Sequence, residues 1–214
     1  MTTSPSPTSL EFLHDEFKLL QGSRDSLISL NDRQVNFFLA VVSGAAVLLA
    51  FLNQPQRSSL LSNIASLTIL LTIFLLGIMT FARTIEADIG IAIYARGLNR
   101  IRRFFVERDK KLVSYLILPT NDQVPSFESI GFSTKGASVI GLPNTLAVIN
   151  SIVGAFLIGI ILKSAFNTSD TTTLISSSIT ILISFFFHQR HQLRRRREAT
   201  NSFKTQFPES ISDK

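Results

Sequence analysis

Three arginines share a spacing that suits the binding of an anion. Arg96, Arg100 and Arg103 follow one another at steps of four and three residues, so a helix would place them on one face, with Asn99 alongside. Guanidinium groups match the geometry of phosphate and carboxylate oxygens. Three uses of this face stay open. It binds a phosphate-bearing ligand such as a nucleotide or a lipid headgroup, it pairs with the acidic face of the N-terminal helix (Glu11, Asp15 and Glu16), or it is a solvated face that also enforces the orientation of the spans.

A second basic group lies near the C-terminal end of the sequence. Four consecutive arginines favour contact with anionic lipid headgroups, at about 1 kcal/mol per residue near a membrane surface. They are Arg194, Arg195, Arg196 and Arg197. His188 and His191 precede them with the spacing of a metal-binding pair, but no third ligand accompanies them. We therefore expect lipid contact here and no metal.

Neutral polar residues recur inside two apolar stretches. One set of hydroxyls is spaced at steps of four, three and four, which gives one stripe on a helix, and two amides lie in the preceding apolar stretch. These candidate pore-lining residues are Thr173, Ser177, Thr180, Ser184, Asn144 and Asn150. Such a stripe lines a polar lumen or packs against another helix through small polar side chains. Both interpretations stay open.

The sequence lacks the patterns of an enzyme or of a nucleic-acid reader. It contains no cysteine, which excludes a disulfide framework and thiol chemistry, and only three histidines. It has no glycine-rich phosphate loop and no HExxH. We expect no catalytic site, cofactor, metal or nucleic-acid partner.

The distances between charges predict the elements that carry these groups. Four stretches contain no Asp, Glu, Lys or Arg: residues 34–56, 58–82, 136–162 and 171–189, of 23, 25, 27 and 19 residues. A helix needs about 20 mostly apolar residues to cross a bilayer. We therefore predict an all-α, polytopic membrane protein with four transmembrane helices, at about residues 35–52, 60–81, 139–162 and 173–187.

The distribution of cations predicts the direction of the spans. Of 21 Lys and Arg, 19 lie before residue 34, between residues 82 and 137, or after residue 188. Only Arg57 and Lys163 fall in the two short connections. Because cytoplasmic segments are enriched in Lys and Arg, both termini and the central segment are expected in the cytoplasm, and the membrane is expected to be the inner membrane. No cleavable signal peptide precedes the first apolar stretch.

The segments outside the spans divide the chain further. We predict a disordered leader at 1–8, a cytoplasmic amphipathic helix region at 9–33, spans 1 and 2 within 34–82, a cytoplasmic helical segment and loop at 83–137, spans 3 and 4 within 138–187, and a basic tail at 188–214. Thr8 and Glu11 have the spacing of a capping box. The apolar stripe that follows is expected to pack on the central helices, and Gly22-Ser23 is expected to break the helix.

The second span is expected to continue into the cytoplasm. No proline occurs between residues 56 and 118, and the helical apolar pattern persists to about Val106, so one helix of about 70 Å is predicted, with Gly90 and Gly97 as points of bending.

Two functions fit these features. The first is a homo-oligomeric inner-membrane pore or membrane-effector assembly regulated by its cytoplasmic helices. The second is a non-conducting anchor or scaffold that recruits an acidic partner through its basic face. No span contains an ionisable Asp, Glu, Lys or Arg, which argues against a proton-coupled transporter.

Overall fold

The computed structural model describes residues 7–52, 54, 60–122 and 141–207. Four long helices run through them: α1 (Pro7–Leu52), α2 (Leu60–Arg108), α3 (Leu142–Phe166) and α4 (Asp170–Ser202). A short 3₁₀ helix, Lys110–Tyr115, follows α2. Helices make up 90% of the described residues, and no strand occurs among them. The all-α prediction is therefore confirmed for this part of the chain.

Each of the four helices is long and apolar enough to cross a membrane. The most apolar 18-residue windows of α1, α2 and α3 have a mean hydropathy of 2.4, whereas that of α4 has 1.4. Windows of this length and composition are typical of transmembrane helices. The architecture is that of a multi-pass helical membrane protein, as the charge-free stretches predict.

The first helix is unbroken, so the predicted break at Gly22-Ser23 is wrong. α1 continues through both residues for 46 residues in all. A mid-helix glycine costs about 1 kcal/mol relative to alanine, which long helical flanks on both sides outweigh. The helix also begins at Pro7, so residues 7 and 8 of the predicted leader are helical and Thr8 lies inside the first turn rather than at a cap. Residues 1–6 of that leader lie outside the described residues.

The second helix extends unbroken from Leu60 to Arg108, slightly beyond the predicted end. Two of its three glycines, Gly90 and Gly97, pack closely against α1. A Cβ atom at Gly90 would lie 2.8 Å from Cδ1 of Leu27, and one at Gly97 would lie 2.9 Å from Cδ1 of Leu20. A side chain at either position would displace the end of the facing leucine, because Leu20 and Leu27 approach the α2 backbone closely.

The third helix has a well-defined beginning and end. Gly141 caps it in an extended conformation, and Pro143 occupies the first turn, where its missing N–H costs no hydrogen bond. Asn167 ends the helix in the left-handed conformation, with φ 46°. The helix thus starts three residues after the predicted residue 139, and residues 123–140, which include most of the predicted central loop, lie outside the described residues.

The fourth helix is longer than its apolar stretch. It begins at Asp170, where the Ser169 hydroxyl accepts a hydrogen bond from the Thr172 backbone N–H at 3.2 Å, and it continues to Ser202. The basic tail predicted from residue 188 is therefore helical over its first half, because Arg and Gln are good helix formers and no glycine or proline interrupts them. Residues 208–214 lie outside the described residues.

The chain divides into two compact units. Unit 1 contains the start of α1, the distal part of α2 from Glu86, and the C-terminal segment from Glu198. Its buried residues include Leu98 and Ile101 together with Arg96, Asn99 and Asp122. Unit 2 contains the apolar parts of all four helices, residues 31–85 and 139–197. Its core combines apolar side chains such as Phe38 and Leu146 with buried Asn150 and Ser151.

Candidate functional site

The arginine face of α2 binds a carboxylate from its own chain. Arg100 Nε donates a hydrogen bond of 2.7 Å to Oδ2 of Asp122. The Asp122 side chain is completely buried, whereas that of Arg100 is 29% exposed. Asp122 lies 14 residues beyond the end of α2, so the chain reverses to bring the carboxylate back to the helix. A buried carboxylate requires a partner of this kind.

The same carboxylate holds the segment after α4. We call residues 203–207 the C-terminal clasp. The backbone N–H of Gln206 donates to both carboxylate oxygens of Asp122, at 3.2 and 3.0 Å, and that of Phe207 donates to Oδ1 at 2.7 Å. The Asp122 N–H donates in return to the Phe207 carbonyl at 3.1 Å. Arg100 Nη2 adds a bond of 2.9 Å to the Lys204 carbonyl. Asp122 therefore ties the arginine face to the clasp.

An aromatic ring completes this contact. The guanidinium carbon of Arg96 lies 4.4 Å from the centre of the Phe203 ring, and that of Arg100 lies 4.9 Å from it. Cation–π contacts of this kind contribute about 0.5–1 kcal/mol at exposed sites and more when they are desolvated. Arg96 is only 4% exposed, and its Nε has no hydrogen-bond partner in the described part of the chain.

Burial and neighbouring charges shift the pKa values of two groups in this cluster, Arg96 and Asp122. Burial lowers the pKa of Arg96, the Asp122 carboxylate opposes this shift, and the Arg100 charge adds to it. For Asp122, burial acts to raise the pKa, but the backbone hydrogen bonds from Gln206 and Phe207 and the contact with Arg100 together hold it below its usual range. Asp122 is therefore ionised at neutral pH although it is buried.

The rest of the arginine face also has intramolecular partners. Asn99 Nδ2 donates to the Asn121 carbonyl at 2.9 Å. Arg103 Nε lies 2.8 Å from Oε1 of Glu107, one helical turn away on the surface. Arg102, which the sequence did not single out, donates to Asn99 Oδ1 and lies over the Phe17 ring of α1. Of the acidic groups around this face, Asp122 is the one that reaches Arg100, and nothing in the local sequence indicates it.

The four consecutive arginines lie on the distal part of α4. Arg194 and Arg197 are exposed, whereas Arg195 and Arg196 are half-buried. With the Gln192 amide oriented so that its nitrogen donates to Asn144 Oδ1, its oxygen accepts from both terminal nitrogens of Arg196 at 3.0 Å. The predicted lipid-facing group thus divides into two exposed arginines and two that are partly covered by protein.

Amide residues connect α3 and α4 within unit 2. Gln189 Nε2 donates to Asn144 Oδ1 at 2.8 Å. Asn150 Nδ2 lies 3.2 Å from Nε2 of His188, whose Nδ1 lies 2.8 Å from the Ser184 carbonyl. This arrangement fits a histidine that donates from Nδ1 and accepts at Nε2. Asn150 is fully buried and sits against Gly77 of α2.

Hydroxyl groups extend the same contact. Ser151 Oγ donates to the Ala147 carbonyl at 2.7 Å and lies 3.2 Å from Ser184 Oγ. Ser177 Oγ donates across to the Ala155 carbonyl of α3 at 3.2 Å. We call these α3–α4 contacts the polar seam; its members are Asn144, Asn150, Ser151, Ser177, Ser184, His188, Gln189 and Gln192.

The polar seam takes up four of the six candidate pore-lining residues. Asn144, Asn150, Ser177 and Ser184 bond between α3 and α4, as described above. The other two bond locally: Thr180 Oγ1 donates to the Ser176 carbonyl at 2.8 Å, and Thr173 Oγ1 contacts Thr168 and Ser169 at the start of α4. Within one chain, two of the four hydroxyls of the stripe and both amides therefore connect α3 to α4.

Sequence reasoning missed several members of both clusters. His188 was considered only as a metal ligand, and Ser151, Gln189 and Gln192 were not singled out, although Gln192 follows His188 at a spacing of four residues. No group of three or more His, Asp or Glu that could hold a metal occurs among the described residues. No protein-family model, curated protein or solved structure matches this chain.

Proposed function

We propose that the chain is an integral inner-membrane protein that assembles from several copies into a pore or membrane-effector assembly, with unit 1 as its regulatory part. This proposal rests on the low hydropathy of α4 and on its exposure within the chain. Its apolar window is the least hydrophobic of the four, and none of that window is buried inside the chain. A helix of this composition gains more from contact with other protein helices than from lipid alone.

The outer surface of α4 suits contact with a neighbouring copy. One face presents an apolar stripe at helical spacing, and each member has at least half of its surface exposed: Ile175, Ile179, Leu182 and Phe186. The stripe runs beside hydroxyls that bond to carbonyls of their own helix, such as Ser178 to Leu174 at 2.9 Å. Such helices associate in bilayers through close packing. Four helices from one chain are too few to enclose a water-filled path, so a pore requires several copies.

The proposed topology follows from the cations. Unit 1 and the distal part of α4 carry most of the Lys and Arg residues, which favours a cytoplasmic location for both termini and for the segment between spans 2 and 3. The α3–α4 turn, which follows Lys163 at the end of α3, then lies on the opposite side. The arginines at 194–197 would contact anionic lipid headgroups at the cytoplasmic surface.

A substitution on the hydroxyl stripe tests the pore. Thr180 is half-buried and its hydroxyl donates to the Ser176 carbonyl of its own helix, so Thr180→Leu removes a hydroxyl without breaking the polar seam. We expect ion efflux from liposomes to fall at least about tenfold, which corresponds to about 1.4 kcal/mol. Ile179→Leu on the adjacent exposed position is the matched control. Ser177→Leu should reduce efflux as well, together with looser α3–α4 packing. Normal efflux in the Thr180 and Ser177 variants, with normal insertion, would contradict the pore.

A second candidate is a non-conducting anchor or scaffold that recruits an acidic partner. It is favoured by the chemistry of the arginine face, where Arg100 binds a buried carboxylate and Arg96 and Arg100 stack on an aromatic ring. A partner with the same pair of groups would suit this face.

Charge reversal separates the two candidates. Arg100→Glu with Arg103→Glu should abolish co-purification of an acidic partner and leave ion efflux unchanged if the protein is an anchor. Arg103→Glu alone is the control that keeps the Asp122 contact intact, because Arg103 bonds to Glu107. An unchanged co-purification in the double variant would contradict the anchor.

A further inference from the structure

Two grooves flank one ridge of α3 within unit 2. The ridge consists of Ile152, Phe156 and Ile160, which recur every four residues and line both grooves. The first groove, of about 690 Å³, lies on the α4 side, and the second, of about 470 Å³, lies on the α1 side. Phe156 is 62% exposed between them. The surface is therefore shaped for a forked apolar ligand with one branch on each side of a ridge.

The two grooves differ in polarity. The second is lined by aliphatic and aromatic side chains alone, among them Ala46, Leu70 and Val153. The first is apolar along the ridge and polar at the end near the α3–α4 turn. The polar lining residues there are Asn63, Lys163, Ser164, Asp170 and Thr173. The pair of grooves therefore matches a molecule with two apolar branches and one polar head.

The length of the grooves matches one leaflet of a bilayer. Eleven residues separate Ile152 from Lys163, which is about 16 Å along a helix that rises 1.5 Å per residue. Half of a hydrocarbon core of about 30 Å is about 15 Å. Lys163 lies in the last turn of α3, where the spans are expected to meet the headgroup region.

The charges at the polar end are balanced. Lys163 Nζ forms an ion pair with Asp170 Oδ1, and the two side chains are 49% and 92% exposed. The hydrogen bond from Lys163 and its charge lower the pKa of Asp170, so this carboxylate is ionised at neutral pH. A headgroup with only a negative charge would meet Asp170 as well as Lys163. A headgroup that carries both a phosphate and an ammonium pairs with both.

We infer that these grooves form a binding site for one phospholipid with a phosphate and a primary ammonium, as in phosphatidylethanolamine. The two acyl chains lie on either side of the Ile152–Phe156–Ile160 ridge, the phosphate contacts Lys163, and the ammonium contacts Asp170. The site belongs to the leaflet that contains the α3–α4 turn. The inference requires that the helices span a membrane, but it does not depend on whether the assembly conducts ions.

Native mass spectrometry of the full chain in detergent tests the site. The protein is delipidated and mixed with equal amounts of phosphatidylethanolamine and phosphatidylglycerol that carry the same acyl chains. We expect one phosphatidylethanolamine per chain to survive collisional activation, with at least about a tenfold preference over phosphatidylglycerol. Equal retention of both lipids, or retention of neither, would overturn the inference.

Two pairs of variants localise the binding. Ser178 is exposed and lines the first groove, and Ala46 is exposed and lines the second, so Ser178→Trp and Ala46→Trp fill one groove each. Each should reduce retention of the lipid at least about tenfold. Ile183→Trp and Val47→Trp place the same ring on exposed positions of α4 and α1 outside both grooves and should leave retention unchanged. A loss in the controls as large as in the groove variants would contradict the site.

A third variant tests the headgroup separately. Lys163→Gln with Asp170→Asn removes both charges and leaves the grooves intact. Retention of lipid should persist while the preference for phosphatidylethanolamine disappears. A preference that survives this change would show that the ion pair does not select the headgroup. If the groove variants alter the number of copies and not the bound lipid, a second copy fills the grooves and the inference is wrong.

Discussion

The cluster around Asp122 and the polar seam both bury polar side chains, but one is charged and the other is neutral. At Asp122, a full negative charge is matched by Arg100, by two backbone N–H groups and by cations stacked on Phe203. In the polar seam, the buried groups are neutral amides, hydroxyls and an imidazole that bond to one another and to helix carbonyls.

The difference follows from the solvent that each region is expected to meet. Burying a charge costs free energy even where the surroundings are expected to be water. A well-placed partner of opposite charge compensates for the lost hydration. Inside a bilayer a charge costs still more free energy. Small neutral polar groups with one or two hydrogen bonds cost less, and they can still determine how helices pack. Charged contacts should therefore be strong individually in unit 1, and steric fit should matter most in unit 2.

The largest effect is expected from Asp122→Ala. The substitution leaves Arg100 and the backbone N–H groups of Gln206 and Phe207 without their acceptor, at about 1.5–3 kcal/mol for each charged hydrogen bond lost. Hydrogen exchange at the Gln206 and Phe207 amides should accelerate at least about tenfold. Asp122→Asn, which keeps one acceptor oxygen, should give a smaller increase. Unchanged exchange in both variants would show that Asp122 does not hold the clasp.

The same contact should be lost in acid. The pKa of Asp122 lies below its usual range in the folded chain, so its contribution is fully present above the ordinary aspartate value of about 3.9 and is lost as the pH falls through the lowered value. Proteolysis next to Lys204 should therefore be equally slow between pH 7 and pH 5 and become fast only below about pH 4. A protease active in acid makes the measurement possible. Release of the clasp between pH 7 and pH 5 would contradict this assignment.

Steric fit in unit 2 can be tested with two glycines. A Cβ at Gly77 would overlap the Asn150 side chain and lie 3.1 Å from Cζ of Phe38, whereas one at Gly44 meets nothing within 4 Å. Gly77→Ala should destabilise the protein by about 1–3 kcal/mol, as overpacking of a buried contact does. Gly44→Ala should be neutral or slightly stabilising, because alanine is the better helix former. Thermal unfolding in detergent compares the two, and equal melting temperatures would mean that α2 does not pack closely on Asn150.

The smallest effect is expected from Glu107→Gln. Its ion pair with Arg103 is exposed and lies within one helix, and such pairs contribute about 0.3–0.5 kcal/mol. The melting temperature of this variant should shift by less than that of Gly77→Ala. A larger loss of stability would indicate that Glu107 has a further partner, and the contrast between buried and exposed charges in unit 1 would then weaken.

Much of the fold follows from local patterns. The four charge-free stretches predict the four long helices, and the absence of proline after residue 56 predicts the continuous α2. The same local reasoning fails at Gly22-Ser23, because a helix breaker is a small penalty that neighbouring turns override. It was silent on the secondary structure of the basic tail, whose residues up to Ser202 belong to α4, as the helix preference of arginine allows.

The sequence predicts one side of the candidate site, the arginine face, but not the residues that contact it. Helical spacing places Arg96, Arg100 and Asn99 on one face, because the period of the helix fixes which residues share a face. In the structure, Arg96 and Asn99 are buried and Arg100 is half-buried. Their partners are tertiary: Asp122 follows after a reversal of the chain, and Phe203 comes from a segment a hundred residues away. No periodicity connects such positions, so sequence alone left the arginine face without its carboxylate.

We propose that other copies of the chain cover α4, and native mass spectrometry of the intact protein in nanodiscs measures the number of copies. We expect a closed assembly of four or more copies, because fewer chains leave too little space for a polar path between them. In that assembly, Leu182→Arg on the exposed stripe should reduce the number of copies. A wild-type protein that is a monomer or a dimer would contradict the claim and leave the hydroxyls of α4 as packing residues of a membrane anchor.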